Sequence, residues 1–234
     1  MIEAEWWDYE DADELVEAVA GDVGFIIESA LDARGQCLLA LPGGKTPLPI
    51  YEKLATAKLD WKRATIIPTD DRIVAITDPL SNVALLAKIF LPKGARVIPV
   101  ISDKAPDYRS AGVAADARLQ DFPFPPDLVW LGVGADGHTA SIFAGPDLDD
   151  ALNAPKARRM VGIMPDPLPA EAPVPRVTLT KAAILSARTL MLVLTGKEKK
   201  KVLERAIKDG ASSDVPVGRV LADAEQAIDI HWTA

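Results

Sequence analysis

His138 and Asp136 are the residues of this sequence whose types and spacing most plainly permit chemistry. An imidazole changes protonation near neutral pH and a carboxylate two residues away can orient it, so the pair is a candidate for general acid–base work. Both lie in Gly132-Val133-Gly134-Ala135-Asp136-Gly137-His138, entered from an apolar run over 128–132 that reads as a strand. The bland alternative is a loop histidine hydrogen-bonded for structural reasons alone. Against it, His138 follows a strand's C-terminal end, sits in a glycine turn that lets a ligand approach, and has Asp136 at hand. His231, in a strand expected over 227–232, has none of these features.

A second set of residues could hold an anion. Pro42-Gly43-Gly44-Lys45-Thr46-Pro47 joins the apolar run Cys37–Leu41 to a helix expected over 48–58, and such a strand, glycine turn and helix present backbone N–H groups to a phosphate. Asp70-Asp71-Arg72 ends a strand expected over 64–69. A charged triplet is commonly a solvated turn, but ligand groups gather at strand C-termini, and Arg72 offers a fork for a carboxylate or phosphoryl group. Lys197, Lys199, Lys200 and Lys201 read most simply as the solvated face of a helix over 197–208, with Thr195-Gly196 before them leaving a ligand role open for one lysine.

Several familiar patterns fail on inspection. Residues 132–137 match GxGxxG, but a dinucleotide site needs a helix opening from the turn and an acidic residue about 20 positions on. Gly145-Pro146 stops any such helix early, and the stretch around Ala157 is basic. A Walker A loop needs glycine five positions before Gly44, where Leu39 stands. No serine occupies a GxSxG elbow, and two distant histidines with one cysteine give no metal-ligand spacing.

The elements that must position these groups follow from periodicity. Helical spacing over 12–33 ends at Gly35, Ser81-Asn82 opens a helix through Phe90, and a further helix is expected over 108–119. Strands are expected at 97–100, 176–180 and 190–194, with a short helix between the last two, and residues 145–175 read as a proline-rich loop or flap carrying Lys156, Arg158 and Arg159. Strands alternating with helices imply an α/β fold: a mostly parallel, Rossmann-like central sheet covered by helices on both faces, in a single domain over 1–234.

With 234 residues and 49% hydrophobic content, the chain can bury a substantial core. Its net charge of −8 provides no basic field for a nucleic-acid partner, so an anionic ligand must be held locally. Cys37 reads as core and has no partner for an internal disulfide, the N-terminal segment is acidic, and no apolar run nears the ~20 residues of a membrane span. These features give the expectation of a soluble cytoplasmic protein with no membrane partner.

In this order, the blocks at 41–47, 70–72, 81–82, 131–143, 176–180 and 195–199 resemble the 6-phosphogluconolactonase family, the Asp136-Gly137-His138-Thr139-Ala140-Ser141 block being the most specific. The resemblance implies a sugar-phosphate isomerase/deaminase-like fold and hydrolysis of 6-phosphogluconolactone to 6-phosphogluconate, in the pentose phosphate or Entner–Doudoroff route, without metal or organic cofactor. It implies that His138 is the general base, supported by Asp136. Gly43, Gly44, Lys45, Thr46, Arg176 and Lys199 would hold the phosphate, and Asp71 and Arg72 would meet the substrate from the neighbouring strand end. Lys197 remains an alternative to Lys199, and the family usually has glutamate where Asp71 stands. The partner implied is a small sugar-phosphate lactone, bound by a monomer or small homo-oligomer. Glucosamine-6-phosphate deaminase is the rival within the fold, but its turn continues into an asparagine–glutamate–proline sequence where this chain has Ser141-Ile142-Phe143-Ala144. A non-catalytic sugar-phosphate sensor is the alternative of another class, and it would need a DNA-reading domain that this acidic sequence lacks.

Overall fold

The computed structural model describes residues 2–101 and 105–234. In chain order the elements are β1 (Ala4–Tyr9), α1 (Ala12–Arg34), β2 (Cys37–Leu41), α2 (Pro47–Leu54), β3 (Ala64–Pro68), β4 (Asp70–Arg72), α3 (Asn82–Phe90), β5 (Arg96–Val97) and α4 (Tyr108–Leu119). There follow β6 (Leu128–Leu131), α5 (Leu148–Leu152), β7 (Met160–Ile163), β8 (Arg176–Leu179), α6 (Lys181–Leu185), β9 (Thr189–Thr195), α7 (Lys197–Asp209), α8 (Pro216–Leu221) and β10 (Ile228–Thr233).

Seven strands form one parallel sheet in the order β1-β10-β9-β6-β2-β3-β5. Its two central strands β2 and β6 are apolar at every position because both faces are covered. Leu39 and Trp130 pack with Val19, Ile27, Ile50, Tyr51 and Phe90 from α1, α2 and α3. Leu38, Ala40, Val129, Leu131 and Leu192 pack on the opposite face with Ala115, Ile184, Leu203 and Val220 from α4, α6, α7 and α8. The expected α/β fold with helices on both faces is what the chain forms.

A second sheet of three antiparallel strands, β4-β8-β7, joins the latter core through Val177, Leu179, Met160 and Ile163. Thr69 connects the sheets: its N–H donates to the Leu41 carbonyl and its carbonyl accepts from the Leu179 N–H. This sheet departs from the sequence expectation. Asp70-Asp71-Arg72 is a strand because it pairs with β8, and the stretch expected to be a loop over 145–175 contains α5 and β7. The helix expected over 48–58 stops at Leu54, and the strand expected over 97–100 pairs only at Arg96–Val97. Other boundaries agree closely: Asp11 caps α1, Gly35 closes it with φ 75°, and the Ser81 side chain accepts the Ala84 N–H at the start of α3.

Chain connections diverge between β2 and β6. From β2 the sheet grows through β3 to β5, and from β6 it grows the other way through β9 and β10. Parallel sheets leave a crevice at the carboxyl ends of strands where the winding reverses. The loops after β2, β6 and β9, and β4 after β3, converge there. No helix among the described residues is long and apolar enough to cross a membrane.

Candidate active site

The crevice is a cleft of about 860 Å3 lined by Gly43–Thr46 after β2, Asp70 and Arg72 on β4, the turn after β6, Arg176 on β8 and Lys199 at the start of α7. Residues Asp166 to Glu171, between β7 and β8, form one wall. Of the expected flap, this is the portion at the cleft. Lys156, Arg158 and Arg159 do not line it: Arg158 faces Asp116 at 3.6 Å, and Arg159 binds the Leu119 carbonyl with its guanidinium 4.0 Å from the Phe124 ring centroid.

At one pole stands the His138–Asp136 pair. Nδ1 of His138 lies 2.5 Å from Asp136 Oδ1, which also accepts the His138 backbone N–H at 3.2 Å. The imidazole stacks on Phe143 with ring centroids 4.3 Å apart, so its plane is fixed from below as well as from the side. The bond from His138 holds the Asp136 carboxyl below its ordinary range, and the carboxylate stays ionised as a partner for Nδ1–H. The glycines make room for this: a Cβ on Gly134 would lie 2.2 Å from His138 Nδ1 and 2.5 Å from Asp136 Oδ1. Gly137, at φ 76°, passes so close to Val215 that no side chain fits, and its carbonyl accepts the Val217 N–H at the start of α8.

The other pole is cationic. Arg72 and Arg176 are directly opposed in the β4/β8 pairing, and each has a buried Nε without a hydrogen-bond partner among the described residues. Arg176 is 4% exposed, donates to the Ala172 carbonyl at 3.1 Å and lies over Phe143, 5.3 Å from its ring centroid. Burial lowers its pKa below the ordinary arginine value, Asp70 opposes that shift and the Arg72 charge adds to it. Two guanidiniums placed side by side with unused donors form a site complementary to an anion. Lys45 and Lys199 add two more cations to the lining, and the glycine turn, with Gly44 at φ 101°, adds backbone.

The structure brings together nine of the ten expected site residues: His138, Asp136, Gly43, Gly44, Lys45, Thr46, Arg72, Arg176 and Lys199 all line the cleft. Asp71, expected to bind substrate, does not. A strand sends alternate side chains to opposite faces, so Asp70 and Arg72 reach the cleft while Asp71, with no exposed surface, points into the start of α3. Of the two lysines left as alternatives, Lys199 lines the cleft. Lys197 is not in the lining, and Lys200 turns away to Asp8 and the Trp232 ring. His231 is buried in β10, its Nδ1 2.8 Å from the Tyr9 hydroxyl.

Three contributors escaped the sequence reading. Asn82, which there opens a helix and belongs to a resembling block with no role assigned to it, lines the cleft with Oδ1 accepting from Arg72 Nη1 and Nδ2 donating to the Asp70 carbonyl. Ser141 donates to Asp70 Oδ2 at 2.6 Å and so ties the histidine turn to β4. Glu171 brings a carboxylate to the cationic side of the cleft wall. Two of them had a sequence signal: Asn82 in the block at 81–82 and Ser141 in the block after His138.

Residues 10–232 match the family described as glucosamine-6-phosphate isomerases/6-phosphogluconolactonase. A 6-phosphogluconolactonase of Rhizobium meliloti is 34% identical over 228 residues, which are 96% of either chain. One from Mesorhizobium japonicum is 34% identical, over 97% of this chain and 94% of its own. The crystal structure of a 6-phosphogluconolactonase from Shewanella baltica superimposes with a TM-score of 0.88 at 30% identity, covering 99% of this chain and 98% of its own.

Proposed function

The chain belongs to the glucosamine-6-phosphate isomerase/6-phosphogluconolactonase family, and from that premise we propose that it hydrolyses 6-phosphogluconolactone to 6-phosphogluconate, a step of the pentose phosphate pathway. The observation that carries this reading is a histidine–aspartate pair at one pole of a cleft whose other pole is a pair of arginines, each with a buried Nε without a hydrogen-bond partner among the described residues.

In the neutral imidazole with Nδ1–H directed at Asp136, Nε2 of His138 is the free acceptor. Nε2 takes a proton from a water whose oxygen attacks the lactone carbonyl carbon, giving a tetrahedral intermediate. As the bond from that carbon to the ring oxygen breaks, His138 returns the proton to the leaving oxygen, and the ring opens to a carboxylic acid that ionises. Asp136 stabilises the transient imidazolium. Arg72, Arg176, Lys199, Lys45 and the Gly43–Thr46 turn hold the phosphate, which fixes the carbonyl relative to the base. The lactone is an activated ester, so one base, one water and a fixed handle suffice.

Phe143 lies against the histidine, within the stretch that replaces the rival deaminase's asparagine–glutamate–proline, which supports hydrolysis over the proton transfers of ring opening and isomerisation. The reading takes the chain as one domain whose two sheets share a core. It sets the enzyme in the cytoplasm, because a charged phosphate ester does not cross a bilayer unaided. A coupled assay with freshly prepared 6-phosphogluconolactone tests the activity. A purified protein giving no rate above spontaneous hydrolysis would refute it, and ammonia release from glucosamine 6-phosphate would redirect it to deamination.

A further inference from the structure

Asp71 does not itself line the cleft, yet it is fully buried and its carboxylate is used on both oxygens. Oδ1 accepts the backbone N–H of Asn82 at 2.6 Å and of Arg72 at 2.9 Å. Oδ2 accepts the Val83 N–H at 3.2 Å and the Ser81 hydroxyl at 3.3 Å. Helix α3 already has a cap of its own, since Ser81 Oγ takes the Ala84 N–H at 3.2 Å. A second, buried carboxylate on the same turn exceeds what a helix of nine residues needs.

What that turn carries gives the carboxylate a purpose. The two acceptors on the Arg72 guanidinium are the Leu80 carbonyl, 3.2 Å from Nη1, and Asn82 Oδ1, so they flank Ser81, one just before the segment that Asp71 grips and one within it. The same Asn82 side chain reaches the glycine turn, where a Cβ on Gly43 would lie 1.9 Å from Asn82 Oδ1. Its Nδ2 is anchored on the Asp70 carbonyl at 2.8 Å.

We propose that Asp71 is a positioning residue for phosphate recognition: by holding residues 81–83 it fixes the Asn82 side chain, which aims Arg72 into the cleft and backs the Gly43 turn. The inference rests on the reading of Arg72 as a phosphate ligand. It gives alternate residues of β4 separate duties, Arg72 in contact with the ligand and Asp71 acting through Asn82.

The test uses the intact chain, with inorganic phosphate as the calorimetric probe and the lactone as the kinetic one. Asp71→Asn is expected to weaken phosphate binding and raise KM by about tenfold each, with kcat falling less than about twofold. Asn82→Ala is expected to do the same, and the double variant to be no worse than either single one, because both act through one side chain. An unchanged phosphate affinity in folded D71N, a fall in kcat at constant KM, or additive losses in the double variant would each overturn the proposal. If D71N does not fold, N82A decides alone, and unchanged phosphate affinity there overturns it. Phosphate binding without lactone hydrolysis in the parent chain would fail the functional reading while leaving the calorimetric arm intact.

Discussion

His138 and Asp136 divide one task between a base and the group that keeps it in the useful tautomer. His138→Ala should therefore lower kcat by about 10^2- to 10^4-fold and leave KM within about twofold, because the phosphate pole is untouched. Asp136→Asn should cost kcat about 10^2-fold through loss of the tautomer and of imidazolium stabilisation. Steady-state kinetics on both variants checks this, and a KM effect as large as the kcat effect would place the pair in binding instead. Arg176 obeys different arithmetic. It is nearly inaccessible, is paired beside Arg72 and leaves Nε unpartnered, so in the free protein it is a desolvated cation that the Asp70 and Glu171 carboxylates offset only in part. Arg176→Met should raise KM about 10- to 100-fold while the thermal midpoint holds or rises, since the cost of burying an unmatched charge disappears. A melting curve shifted well downward would show that the guanidinium stabilises the fold.

The elements set how closely these side chains can meet. Gly134 has no left-handed φ, so alanine is compatible with its backbone, yet an added Cβ would collide with both partners of the pair. Gly134→Ala should then approach the His138→Ala loss in kcat with an unchanged circular dichroism spectrum, and a variant retaining more than about a tenth of the activity would show that the pair tolerates displacement. At this scale the limits of the sequence are physical. α1, β2, α3 and α4 were legible because apolar periodicity, a capping residue or a glycine marks each of them. β4 was not, because strand formation in Asp70-Asp71-Arg72 comes from hydrogen bonding to β8, more than 100 residues away, and leaves no apolar alternation to read. The misassignment of Asp71 follows directly: without the strand there was no reason to send adjacent aspartates to opposite faces. β7 was hidden in the same way among the prolines of 145–175.

In the whole molecule, two buried titratable groups that do not line the cleft contribute opposite slopes to the way stability responds to acid. His231 lies 2% exposed in β10 beneath Trp7 and Tyr9, with Asp22 Oδ2 3.9 Å from Nε2, too far to offset desolvation, and burial depresses its pKa to about 4. The unfolded chain protonates this histidine near pH 6.5, so its contribution is complete above that pH and is lost as pH falls toward 4. Asp71 has the opposite sign. Burial pushes its pKa up to about 6 against the pull of the Asn82, Val83 and Arg72 N–H groups, so its contribution is largest below pH 4 and is lost as pH rises through 6. The two slopes overlap and partly cancel in the parent protein. Replacing His231 by glutamine, which keeps an acceptor for the Tyr9 hydroxyl, removes one of them. Relative to the parent, the variant should gain stability on the order of 2 kcal/mol between pH 7 and 4.5, measured by urea unfolding at each pH. A difference between the two proteins that does not change with pH would mean that His231 titrates in the fold as it does in the unfolded chain, and the depressed value would be wrong.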